Sequence, residues 1–69
     1  MKILITGGSG FLGQYLNMEL SKHHNISTLY HQTPRNCEQF NSQQIDIRDY
    51  EKLKYIFESF KPEVVVHTA

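Results

Sequence analysis

The stretch Thr6-Gly7-Gly8-Ser9-Gly10-Phe11-Leu12-Gly13 holds all four glycines of the chain, and its residue types and spacing suit one chemistry, the binding of phosphate. Two fingerprints overlap in it. Gly8, Gly10 and Gly13 fit G-x-G-x-x-G, while Gly7, Gly10 and Gly13, preceded by Thr6, fit T-G-x-x-G-x-x-G. Both patterns ask three things of glycine: a tight turn, close approach of backbone to a pyrophosphate, and close packing of a helix on a sheet. The open amides at the start of a helix, at Phe11, Leu12 and Gly13, would then face the phosphates. A turn made tight for packing alone leaves Thr6 and the double spacing without explanation. The P-loop fails here, because Gln14-Tyr15 stands where Lys-Ser/Thr is needed.

Elements on either side must position this turn. Residues 3–5 form a short apolar run that the glycines end abruptly, which predicts a buried strand, β1. Residues 11–22 predict a helix, α1, with Phe11, Leu12, Tyr15, Leu16 and Leu20 on its apolar face and Gln14, Asn17, Glu19 and Lys22 on its polar face. Lys22, His23 and His24 suit the negative end of that helix, and Asn25 is the expected left-handed stop. Residues 26–30 predict β2, with Ile26, Thr28 and Tyr30 on one side of the pleat. Residues 31–42 lack periodicity and read as a long loop, a length that usually marks function or mobility. Residues 43–47 predict β3, and Asp49 caps a second helix, α2, with Tyr50, Leu53, Ile56, Phe57 and Phe60 on one face. Lys61-Pro62 ends it. Residues 63–67 are β-branched without alternation, as in a strand covered on both faces, β4. The order β-α-β-β-α-β with right-handed crossovers predicts an α/β fold, the first half of a doubly wound parallel Rossmann sheet with strand order 3-2-1-4.

Composition narrows the partners. Seven Lys+Arg balance seven Asp+Glu, which removes the electrostatic argument for nucleic acid or an acidic membrane surface. No run is long and apolar enough for a signal segment or a membrane span, and the single Cys37 allows no internal disulfide, so the cytoplasm is the expected compartment. Cys37 in a polar loop is a poor nucleophile. His67 has no nearby partners for a metal site, and His23 and His24 are expected to face solvent. At 69 residues one small domain is the limit, and its stability alone is expected to be marginal.

Three segments together resemble the extended short-chain dehydrogenase/reductase family. Thr6 to Gly13 matches its glycine motif, Asp46-Ile47-Arg48-Asp49 resembles its acidic D-x-x-D segment, and Val65-Val66-His67-Thr68-Ala69 resembles its β4 ending. The run from Lys61 to His67 and the short stretch between β2 and β3 are similar to dTDP-4-dehydrorhamnose reductases and other sugar-nucleotide epimerase-like members, and to the related regulatory subunit of methionine adenosyltransferase. The resemblance implies a nicotinamide dinucleotide cofactor and, for the intact protein, a small-molecule nucleotide-sugar substrate. Reduction, or epimerisation and dehydration through a transient keto sugar, are the implied reactions; a non-catalytic dinucleotide-binding regulatory subunit is the alternative. Family members carry a Tyr-x-x-x-Lys pair after β5. Tyr50 and Lys54 have that spacing, but they fall on α2, with Tyr50 expected to point to the core, so no catalytic residue is assigned. The chain is therefore expected to be an N-terminal piece ending at the tip of β4, inactive in hydride transfer by itself. An uncovered β4 edge invites self-association, so a homo-oligomer is compatible with this reading.

The cofactor-binding set expected from these arguments begins with Gly7, Gly10, Phe11, Leu12 and Gly13. NAD sites place an acid at the end of β2 to hold the ribose 2′-OH, whereas Tyr30-His31-Gln32-Thr33 contains no carboxylate. Arg35 could face a 2′-phosphate, supported by His31, so NADP is favoured over NAD. The resemblance adds Asp46 and Ile47 beside an adenine, with capping of α2 as the competing role for Asp46, and Thr68 and Ala69 at the end of β4.

Overall fold

A computed structural model describes residues 1–68. Four parallel strands, β1 (Lys2–Thr6), β2 (Asn25–Tyr30), β3 (Ser42–Gln44) and β4 (Val64–His67), form one sheet in the order β3-β2-β1-β4. The central β1 pairs on one side with β2, Ile5 opposite Thr28, and on the other with β4, Thr6 opposite His67. All strands therefore end at the same edge, the one that carries the glycines.

Alternation in β1 divides the core in two. Ile3 and Ile5 join Ile26 on the face covered by α1 (Phe11–Leu20), against Leu16, Leu20, Phe40 and Val66. Leu4 points the other way, to Leu29, Ile45 and Ile56, with Leu53 and Phe60 of α2 (Tyr50–Phe60) closing that side. Thus β2 is buried from Ile26 to Leu29 on both faces, as a central parallel strand must be.

Several local expectations need correction. The buried side of α1 carries Gly13 and Asn17, while Phe11, Leu12 and Tyr15 are exposed. Asn17, placed by the pattern on the polar face, has no exposed surface at all. The helix stops at Ser21 in the right-handed region, with its N–H on Asn17 O; Asn25 is already strand, and Lys22, His23 and His24 lie past the helical turns. His24 is half-buried rather than free in solvent. Part of the long loop is a 3-10 turn (Arg35–Gln39) that buries Cys37. Asp49 does cap α2, accepting from Lys52 N–H at 3.2 Å, and Lys61 ends it at φ 53°, donating to Phe57 O. Tyr50, the first residue of α2, is 83% exposed instead of core. The strand order leaves β4 at the sheet edge, as expected for this piece; Val66 packs against Ile3, Ile5 and Ile26, while Val64 and Val65 are exposed, so the strand is not covered on both faces.

Candidate functional site

The turn between β1 and α1 shows why each glycine is there. Gly7 takes φ 67°, and a Cβ on it would lie 1.7 Å from Thr68 O. On Gly8 a Cβ would lie 1.8 Å from Thr28 Oγ1, and on Gly13 it would lie 2.2 Å from Gly7 O and 2.7 Å from Gly8 Cα. The chain's own packing demands these three. Gly10 differs: it is exposed, and a Cβ there would meet only Gly7 O, at 3.3 Å. Both overlapping fingerprints thus have physical roles: Gly7 turns, Gly10 stays open and Gly13 lets helix and turn touch. Gly8 is a packing glycine under Thr28 and Cys37.

Gly10 is also the N-cap of α1, in extended backbone with no side chain capping the helix. Its N–H donates to Gly7 O, and Gln14 N–H donates to Gly10 O, each at 3.0 Å. Among the described residues the amides of Phe11 and Leu12 find no acceptor. The helix start thus has open N–H groups and a Cβ-free approach, the features that suit an anion.

Beside the turn, at the carboxyl ends of the strands, lies a cleft of about 210 Å³. Thr6 and Gly7 form one wall, Leu29, Tyr30 and His31 the next, Ile45, Asp46 and Ile47 the third, and His67 and Thr68 the last. Gly7, His31, Asp46, Ile47 and Thr68, remote in sequence, thus meet in one place. Tyr30 joins them without having been singled out; its signal was its position as the last residue of β2, at the ligand edge of the sheet. A second, more open hollow is bounded by Ser9, Gln32, Thr33 and Arg35, with His31 lining both. Phe11, at 99% exposure, and Leu12 line neither hollow. Ala69 lies outside the described residues.

Specific bonds brace these walls. Thr68 donates its hydroxyl to Thr6 O at 2.6 Å and reaches Gly7 O at 3.0 Å, while His67 Nδ1 is hydrogen-bonded to Thr6 Oγ1. The tip of β4 is therefore tied to the glycine turn, and Thr68 acts as a brace. Arg35 donates from its guanidinium to Ser9 O at 3.0 Å and holds φ 49°, a left-handed conformation unusual for a side-chain-bearing residue. Asp46 does not cap α2. Its carboxylate accepts from Arg48 N–H at 2.9 Å and from the Arg48 guanidinium at 2.7 to 3.2 Å, with His31 Nε2 3.7 Å away.

Those hydrogen bonds from Arg48, side chain first and backbone second, hold the Asp46 carboxyl well below the usual carboxylate range. Arg48→Ala is expected to return it upward toward the ordinary value near 3.8. Carboxyl carbon chemical shifts followed through an acid titration check this, and an unmoved midpoint would mean that the pair does not persist in solution.

Tyr50 and Lys54 line neither hollow. Among the described residues no group of three or more His, Cys, Asp or Glu could hold a metal ion, and no helix is long and apolar enough to cross a membrane.

Residues 3–69 match the NAD dependent epimerase/dehydratase family. The whole chain aligns with the dTDP-glucose 4,6-dehydratase of Haemophilus influenzae at 32% identity over 81 residues. The structure of a UDP-glucose 4-epimerase from Thermotoga maritima, with UDP-glucose, superposes on the whole chain with a TM-score of 0.89 at 27% identity. A hypothetical dTDP-4-dehydrorhamnose reductase from Sulfolobus tokodaii does so with a TM-score of 0.83 at 30% identity. The chain spans 24% of the length of each of these three proteins. A 3-2-1-4 parallel sheet, a glycine turn divided into turning, open and packing positions, and a family match over residues 3–69 agree with one another: the chain belongs to the NAD dependent epimerase/dehydratase family, within the extended short-chain dehydrogenases/reductases.

Proposed function

We propose that this chain forms the pyrophosphate- and adenosine-binding half of an NADP(H) site in a protein that acts on a nucleotide-linked sugar. Gly10 carries the reading. Three glycines of the turn are explained by the fold, and this one is not, so its missing side chain serves something that arrives from outside. A pyrophosphate over the amides of Phe11 and Leu12 fits both the space and the unpaired donors. The cleft between Leu29, Ile45, Ile47 and Thr68 would take the adenosine, with Asp46 at its rim. When bound, the nicotinamide would supply or accept hydride. The relatives named above are a dehydratase, an epimerase and a reductase of nucleotide sugars, which supports that substrate class for the intact protein. These residues make up the N-terminal part of its Rossmann domain in this reading. The cytoplasm is the compartment proposed, since a single cysteine, Cys37, asks for no oxidising environment.

NADP rather than NAD is the proposed cofactor. The hollow past β2 offers Arg35 and His31 and no carboxylate, and a guanidinium suits a 2′-phosphate. In the full-length protein NADPH is expected to bind more tightly than NADH, and Arg35→Ala to shrink that difference by roughly tenfold, about the 1.4 kcal/mol of one charge-assisted contact. Calorimetric titrations at low salt check it. Equal affinities in the unmutated protein would reject the assignment.

A further inference from the structure

Three side chains that line neither hollow form a hydrogen-bonded clamp behind the glycine turn. Asn17, fully buried, donates from Nδ2 to Gly8 O at 3.0 Å and to Asn36 Oδ1 at 3.0 Å. Asn36 in turn donates from Nδ2 to Gln14 O at 3.0 Å. Gln14 donates from Nε2 to Ser9 O at 3.0 Å, the same carbonyl that receives Arg35. The direction of the chain is fixed by its ends. Gly8 O and Gln14 O can only accept, so each asparagine must turn its NH₂ toward its carbonyl, and the remaining link must run from Asn17 to Asn36.

Asn17 Oδ1 is buried with no partner among the described residues, a cost borne by an amide whose Nδ2 serves both Gly8 O and Asn36 Oδ1. What the amide does is join two loops. One end holds the carbonyl of Gly8 in the glycine turn, and the other holds Asn36, the residue after Arg35. Arg35 sits in a left-handed conformation that needs its neighbours to persist. Behind it, Cys37 N–H closes on Pro34 O at 2.9 Å, and Cys37 itself packs beneath Asn17 and Thr28.

We propose that Asn17 and Asn36 are positioning residues for cofactor selectivity: without touching the dinucleotide, they hold the 3-10 turn against α1 so that Arg35 stands at the edge of the glycine turn. The inference rests on the reading of Arg35 as the residue that favours NADPH.

The test is a set of fluorescence titrations of the full-length protein with NADPH and NADH, comparing the unmutated form with Arg35→Ala, Asn17→Ala and the double variant. Asn17→Ala is expected to lower the NADPH-to-NADH affinity ratio roughly threefold or more, mainly by weakening NADPH, and to lower it no further when Arg35 is already alanine. Asn36→Ala, at the half-buried end of the clamp, is expected to do the same and serves if Asn17→Ala does not fold. Equal weakening of both cofactors, or an unchanged ratio in a variant that folds, would make the clamp merely structural and overturn the proposal while Arg35 kept its own effect. An unchanged ratio in Arg35→Ala would instead remove the underlying reading, and the proposal with it.

Discussion

Replacing Gly10 by valine is expected to leave the full-length protein folded and to weaken its binding of NADPH by at least about a hundredfold, or ~2.7 kcal/mol. The backbone of Gly10 is at φ −73° and ψ 176°, a region open to a β-branched residue, and a new Cβ would meet only Gly7 O, at 3.3 Å. The folded state thus loses little, on the order of 1 kcal/mol, part of it offset by a stiffer unfolded chain. The methyl groups would instead occupy the space over the Phe11 and Leu12 amides where a pyrophosphate must come close. Thermal unfolding and an NADPH titration on the same preparation separate the two effects. A folded Gly10→Val variant that binds NADPH as tightly as the parent would remove the phosphate-binding assignment.

Gly13→Ala is expected to fail for the opposite reason. Its Cβ would lie 2.2 Å from Gly7 O and 2.7 Å from Gly8 Cα, both backbone atoms of the turn, so α1 must move off the sheet to make room. That strain is expected to cost roughly 3 kcal/mol or more, a large share of the 5–15 kcal/mol by which proteins are stable. Urea unfolding should show a lower midpoint, with binding lost as a consequence of the displaced helix. A midpoint equal to the parent's would mean that the close contact of helix and turn is not what Gly13 provides.

Strand order and the glycine turn could be read from the sequence because each rests on a strong local signal: apolar runs ended by glycine, and a capped helix ended by Lys61-Pro62. The buried face of α1 could not be read by counting apolar residues, since Phe11, Leu12, Tyr15 and Leu16 spread around more than one side. Gly13 held the missing information. A glycine that lets a helix approach the sheet marks the inward face, and the residue four positions later, Asn17, must share it. Arg35 was legible as a cation near the end of β2, but its anchoring on Ser9 and its left-handed backbone were not. Its partner Ser9, and the bonds from the neighbouring Asn36 to Asn17 and Gln14, are tertiary, and no spacing within a 3-10 turn announces them. The exposed faces of Val64, Val65 and Phe57 were expected to be covered, because β-branched runs and apolar stripes report what a segment can bury and not what lies against it.

The central claim is that the turn from Gly7 to Gly13 receives the phosphates of a dinucleotide, and hydrogen exchange read by mass spectrometry on the full-length protein tests it without any mutation. With saturating NADPH, peptides covering Phe11 and Leu12 should exchange more slowly than in the free protein, because their open amides gain acceptors, and peptides covering Ile45 to Ile47 should follow. Unchanged exchange at Phe11 and Leu12, while NADPH binding is evident by titration, would contradict the account.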